Sequence, residues 1–132
     1  MKPENGVCFK MSNALFDEKE ARQYLSIFGE DKMGCLWREF LQDTTETLKT
    51  IESQDREDIR LKFHSWRSSA KVFGLKNFVQ QCENIENMVI NDENIENVKK
   101  TIDNCKKIFH NTQKEANRFF KRCSYGKISN KK

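Results

Sequence analysis

Phe63-His64-Ser65-Trp66-Arg67-Ser68-Ser69-Ala70-Lys71-Val72-Phe73-Gly74-Leu75 is the stretch on which the fold turns. As a helix it places Ile59, Phe63, Trp66, Ala70 and Phe73 at steps of four and three, one apolar stripe. His64 falls about 100° around from Phe63, off that stripe. Arg60 lies one turn before it on its own face, and Arg67, Ser68 and Lys71 lie over the two turns after. One imidazole therefore stands on a cationic, partly exposed face with a small residue beside it. Such a histidine suits an anion and a large partner.

Working outward, Asp55 is expected to cap this helix, with Glu57 and Asp58 complementing its dipole in the first turn. Gly74 is expected to end it as a C′ residue. A second helix restarts at once on the stripe Leu75, Phe78, Val79, Cys82, Ile85 and Val89, with Glu86 at its edge, and breaks at Asn91-Asp92. The last helix is expected from about Glu93 to about Arg122. It carries Ile95, Val98, Ile102, Cys105, Phe109, Thr112, Ala116, Phe119 and Cys123 at alternating steps of three and four.

Upstream, Met33, Leu36, Trp37, Phe40, Leu41, Thr44, Leu48 and Ile51 form a heptad-like stripe, with Asp31 as its expected cap and Ser53-Gln54-Asp55 as the break. Before it a short helix with a capping box of Asp17 and Glu20 carries Ala21, Leu25 and Phe28 and stops at Gly29. Four long amphipathic helices with short breaks predict an all-α, antiparallel up-down four-helix bundle with an additional short N-terminal helix. Residues 1–13 have no period and are expected to be a flexible arm, 14–124 the bundle, and 125–132 a basic C-terminal tail. The two copies of Asn-Ile-Glu-Asn, at 84–87 and 94–97, are too short to mark an internal repeat.

Composition agrees. A chain of 132 residues fits one domain. Hydrophobic residues make up 36%, and ten Phe and two Trp supply core anchors, among them Trp37 and Trp66. A single Pro, at position 3, leaves the helical stretches unbroken. The net charge of +4 is mild and both signs interleave, which fits a solvated helical surface better than a nucleic-acid footprint. The five cysteines, Cys8, Cys35, Cys82, Cys105 and Cys123, show no two-residue gap of a zinc or redox motif. Three of them sit on apolar stripes and read as small buried hydrophobes of a reducing compartment. No apolar run reaches the length of a signal core or a membrane span. A cytoplasmic protein is expected.

The stretch from His64 to Leu75 also resembles the signature of the histidine-containing phosphotransfer (HPt) domains of two-component phosphorelays. The likeness is carried by His64, an apolar residue at Trp66, a cation at Arg67, small residues at Ser68-Ser69-Ala70 and glycine at Gly74. Glu86 falls twenty-two residues after the histidine, where many members have Gln or Glu. Phe40-Leu41-Gln42-Asp43-Thr44 is similar to the family's preceding helix. The likeness covers about residues 20–122. Ser68 departs from it, since glycine is commonest there.

That resemblance implies a relay of a phosphoryl group between receiver-domain aspartates through phosphohistidine at His64. Arg67 and Lys71 would offset the phosphoryl charge and Glu86 would hold the imidazole. Arg60, Leu61 and Ser68 would meet the partner. The implied partners are response-regulator receivers and a hybrid histidine kinase, for a monomer with no nucleic-acid or membrane partner. No metal or cofactor is implied, because the Mg²⁺ belongs to the receiver. With no Gly-rich nucleotide motif, the chain is expected to relay rather than to phosphorylate itself from ATP. His110 has no comparable spacing around it and reads as structural or exposed. Two other classes compete with it: a metal-binding bundle built on His64, Cys82, Glu86 and His110, for which the sequence lacks Glu-x-x-His pairs, and a helical adaptor or nucleic-acid- or protein-binding bundle without phosphotransfer.

Overall fold

The computed structural model describes residues 16–131, with side chains through Phe120. The expected arm, Cys8, and the side chains of Cys123 and of the basic tail lie outside the described residues. Helix α1 spans Glu18–Phe28, α2 Glu30–Leu48, α3 Arg56–Val72, α4 Lys76–Ile90 and α5 Ile95–Lys131. A single 3₁₀ turn, Ile51–Ser53, links α2 to α3. The chain is thus an all-α bundle, with four long helices and the short α1 laid against α2 and α3. Connections as short as residues 73–75 and 91–94 turn consecutive helices back on each other. Helices α3 and α4 share the longest seam, while α5 packs against both α2 and α4.

The stripes read from the sequence are the core. Ile59, Phe63, Trp66, Ala70 and Phe73 are all buried, as are Phe78, Cys82 and Ile85 on α4 and Val98, Ile102, Cys105 and Phe109 on α5. Aromatic rings close the centre: Trp37 lies 5.3 Å from Phe73 and 5.1 Å from Phe120, and Phe78 lies 4.8 Å from Phe109. Each such side chain contributes about 1.5–3 kcal/mol of apolar burial, before the entropy of ordering it. Trp37 also donates its indole N–H to Oδ1 of Asn117 at 2.8 Å, tying α2 to α5.

Several helix ends differ from the expectation. The chain leaves α1 through Gly29 at φ +89, and α2 begins at once with Glu30, so Asp31 sits in the first turn rather than at the cap. Its charge complements the helix dipole there. Helix α2 stops at Leu48, and Ile51 reaches the core from the 3₁₀ turn. Asp55 occupies the N-cap of α3, but its side chain makes no capping hydrogen bond. Helix α5 continues to Lys131, past the expected end near Arg122, because propagating an established helix needs only one further bond per residue.

Gly74 ends α3 as expected. The Leu75 amide donates to the Ala70 carbonyl and the Gly74 amide to the Lys71 carbonyl, each at 3.1 Å, with Gly74 at φ +73. This is a Schellman close, which needs a left-handed residue at C′. Gly74 also receives α1: its carbonyl accepts from the Asp17 amide at 2.6 Å. Only half of the expected capping box forms, Asp17 Oδ1 accepting from the Glu20 amide at 3.2 Å, because the other donor, the Asp17 amide, is taken by Gly74.

Candidate functional site

The α3–α4 seam decides which side chains meet. On α3 the apolar stripe faces inward, so His64, about 100° away, emerges on the wall and its side chain is 53% exposed. On α4, Phe78, Cys82 and Ile85 point into the core, and Glu86, one turn after Cys82, lies at the edge of that stripe against α3. Its side chain is only 8% exposed. A carboxylate that deep must find donors or cations.

It finds three. His64 Nδ1 lies 2.8 Å from Oε2 of Glu86. An ionised carboxylate only accepts, so the proton sits on Nδ1 and the lone pair on Nε2. Arg67 Nη1 stands 3.4 Å from Oε1 of the same group, and Arg60 Nη1 stands 4.0 Å from Oε2. Among the described residues Oε1 accepts no hydrogen bond, so Arg67 holds it by charge alone. The ring is thereby fixed in one tautomer and one orientation, with the Nε2 lone pair on its other edge.

Both arginines have a second carboxylate, and sequence spacing alone did not single those out. Arg60 binds Glu57 through Nε at 3.1 Å and Nη2 at 2.6 Å. That hydrogen bond raises the Arg60 guanidinium above its ordinary range and lowers the Glu57 carboxyl. Arg67 Nη1 lies 3.9 Å from Oε2 of Glu83. Glu57 precedes Arg60 by three residues and Glu83 precedes Glu86 by three, the one-turn spacing that could have found them. Lys71 is exposed and makes no ion pair among the described residues; with Glu20, Gly74 and Glu83 it lines a cavity of about 200 Å³. Ser68 is exposed beside His64, and Leu61 is 49% exposed one turn before it. The structure thus brings His64, Glu86, Arg67 and Arg60 together and leaves Lys71, Ser68 and Leu61 around them in solvent.

A family model described as Hpt domain matches residues 36–113, more than half of the chain. The chain belongs to the Hpt domain family. Comparison with curated proteins finds no match, and neither does comparison with solved structures. The matched span runs from Leu36 on α2 to Gln113 on α5 and leaves α1 outside it. Hpt domains serve histidine phosphotransfer in phosphorelays, working with receiver domains and kinases.

The remaining titratable groups of this Hpt domain lie elsewhere. His110 is exposed on α5 and lines a cleft of about 400 Å³ against α2, with Lys49, Lys106 and Phe109. Cys82 and Cys105 are buried free thiols; burial, with Cys105 beside it, pushes the Cys82 thiol well up. Cys35 is a free thiol at the surface. Among the described residues no three His, Cys, Asp or Glu side chains are grouped to hold a metal ion. Among them, too, no helix is long and apolar enough to cross a membrane.

Proposed function

We propose that this chain is a phosphorelay intermediate that carries the phosphoryl group on Nε2 of His64. The observation that carries this reading is the 2.8 Å pairing of a half-exposed imidazole with a buried carboxylate. Neutral imidazole is nucleophilic near pH 7, since its ordinary pKa is about 6.5. The Nε2 lone pair attacks phosphorus of a receiver's aspartyl phosphate in line. The N–P bond forms as the P–O bond breaks, and the aspartate leaves with that electron pair as a carboxylate. The proton stays on Nδ1, so the ring becomes cationic against Glu86. Glu86 therefore orients the ring before transfer and offsets its charge after it. Phosphoryl transfer depends on positioning and charge more than on covalent help from the protein. Mg²⁺ comes with the receiver. Return transfer to a second receiver is the same step reversed.

Arg67 and Lys71 are assigned to the phosphoryl oxygens. Arg60, Leu61 and Ser68 are assigned to receiver docking: Ser68 keeps the approach to His64 clear, and Leu61 offers apolar surface. Exposed Ile27 and Phe28 at the end of α1 are assigned to docking as well. Phe28 opens onto a cleft of about 420 Å³ with Leu36, Phe40, Ser69 and Val72. We assign the bundle to residues 14–124, flanked by an arm and a basic tail, and place a monomer in the cytoplasm between a hybrid kinase and its receivers. Three free thiols support a reducing compartment.

Incubating the protein with a phosphorylated receiver and Mg²⁺ tests the proposal. Acid-labile, base-stable label should appear on the wild type and on His64→Gln not at all. Label that survives in His64→Gln sinks it. Salt-sensitive nucleic-acid binding without any label, surviving His64→Ala, would favour the adaptor class instead.

A further inference from the structure

Arg67 reaches its expected anion only by leaving another. It stands three residues after His64, one turn along α3, where its guanidinium can turn toward α4 or toward Nε2. In the structure it is turned toward α4, between Oε1 of Glu86 at 3.4 Å and Oε2 of Glu83 at 3.9 Å. Glu86 is buried and already committed to His64. Glu83 is not: its side chain is 49% exposed, and Arg67 is the only cation recorded within 4 Å of it among the described residues.

Resting on the assignment of the phosphoryl group to His64, we infer that Glu83 is a positioning residue. It holds Arg67 at rest beside α4 and so sets how much phosphohistidine the protein accumulates. A phosphoryl group brings nearly two negative charges to the free edge of the ring. It competes for Arg67 against one fixed carboxylate and one adjustable one. Every unit of attraction to Glu83 lowers the gain from turning Arg67 to the phosphoryl oxygens. Glu83 thus keeps the phosphorylated state less favoured and the group easier to pass on. Lys71, which makes no ion pair among the described residues, gives up none of them when it meets the phosphoryl group.

The test needs no receiver. The full chain is loaded with phosphoramidate, whose N–P bond breaks as the Nε2–P bond forms and whose nitrogen leaves as ammonia. Loading at a fixed ratio of phosphoramidate to ammonia is read by ³¹P NMR. Glu83→Gln should raise the ratio of phosphorylated to free protein about two- to fivefold, the range of a partly exposed ion pair. Glu83→Asp should fall between the two. In an Arg67→Ala background the same change should have no effect, whereas in Lys71→Ala it should persist. Equal loading of wild type and Glu83→Gln overturns the inference. So does an increase that survives in Arg67→Ala, since it would report only the loss of a nearby charge. Both results leave the relay itself standing. Wild-type protein that takes no label at His64 removes the relay and this inference together. Circular-dichroism melting of each variant confirms that loading is compared between folded proteins.

Discussion

The two histidines of this bundle stand on different walls and differ in one respect that matters. His64 and His110 are both exposed, and both ride long amphipathic helices one residue after a buried phenylalanine. Across the seam from His64 is a buried carboxylate at 2.8 Å. Beside His110 the cleft offers Lys49 and Lys106 instead. A carboxylate can fix Nδ1–H and would offset the cation that phosphorylation would leave on the ring, whereas no carboxylate lines the His110 cleft to do so. The neighbouring helix, rather than the histidine's own, gives the two imidazoles opposite surroundings.

The sharpest way to break that comparison is to remove each imidazole in turn. His64→Gln should abolish phosphoryl uptake from a phosphorylated receiver, while His110→Gln should match wild type in rate and extent. Loss in both would mean that the α2–α5 wall takes part, and loss in neither would mean that the acceptor lies elsewhere.

Next comes the seam itself. Gly74 ends α3 in a left-handed conformation, and a Cβ there would collide with the Asp17 carbonyl oxygen. Gly74→Ala should cost roughly 2–3 kcal/mol in chemical denaturation, from the unfavourable φ and from pushing α1 off the α3–α4 turn. Phosphoryl uptake per folded molecule should change little, because the His64–Glu86 pair lies more than two turns away along α3. A large loss of uptake at full folding would show that α1 shapes the site directly.

Glu86→Gln sharpens the comparison chemically. The amide oxygen still accepts from Nδ1–H, so the tautomer survives, but the charge that would balance a phosphorylated ring is lost. Uptake should slow about tenfold with the fold intact, because a hydrogen bond to a charged group is worth roughly 1 kcal/mol more than one to a neutral group. An unchanged rate would reduce Glu86 to a packing role.

These particular residues also show what was legible beforehand. Burial follows the helical period, so Ile59-Phe63-Trp66-Ala70-Phe73 announced the inward face of α3, and His64 followed as outward. Gly74 was legible because a Schellman close has a local chemical signature. The pairing of Glu86 with His64 came from the family spacing, since a carboxylate at the edge of an apolar stripe is otherwise ambiguous. What stayed hidden depends on contacts between distant segments. The Asp17 amide is claimed by a carbonyl more than fifty residues away, so the capping box closes only halfway. The periodicity of α3 places Arg67 on a face but does not say that Glu83 and Glu86 draw it toward α4.

The smallest expected effect lies on the other wall, where an ion pair has no chemistry to support. Lys106 binds both carboxylate oxygens of Glu52, at 2.8 and 2.9 Å, and joins α5 to the 3₁₀ turn. Burial pushes the Glu52 carboxyl up, but hydrogen bonds from Lys106, a contact with Asp103 and the attraction of the ammonium outweigh it, so the group lies below its ordinary value of 4.5. A carboxyl lowered by folding stabilises the native state above its unfolded pKa and loses that contribution as pH falls through the folded value. Glu52→Gln should therefore lower stability at pH 7 by less than about 1 kcal/mol, as expected for a partly exposed pair. The gap from wild type should hold down to about pH 4.5 and then close as acid protonates the wild-type group. Phosphoryl uptake at His64 should stay at the wild-type level throughout. A gap that widens in acid would mean that the carboxyl is raised rather than lowered, and that Lys106 is held there by something other than Glu52.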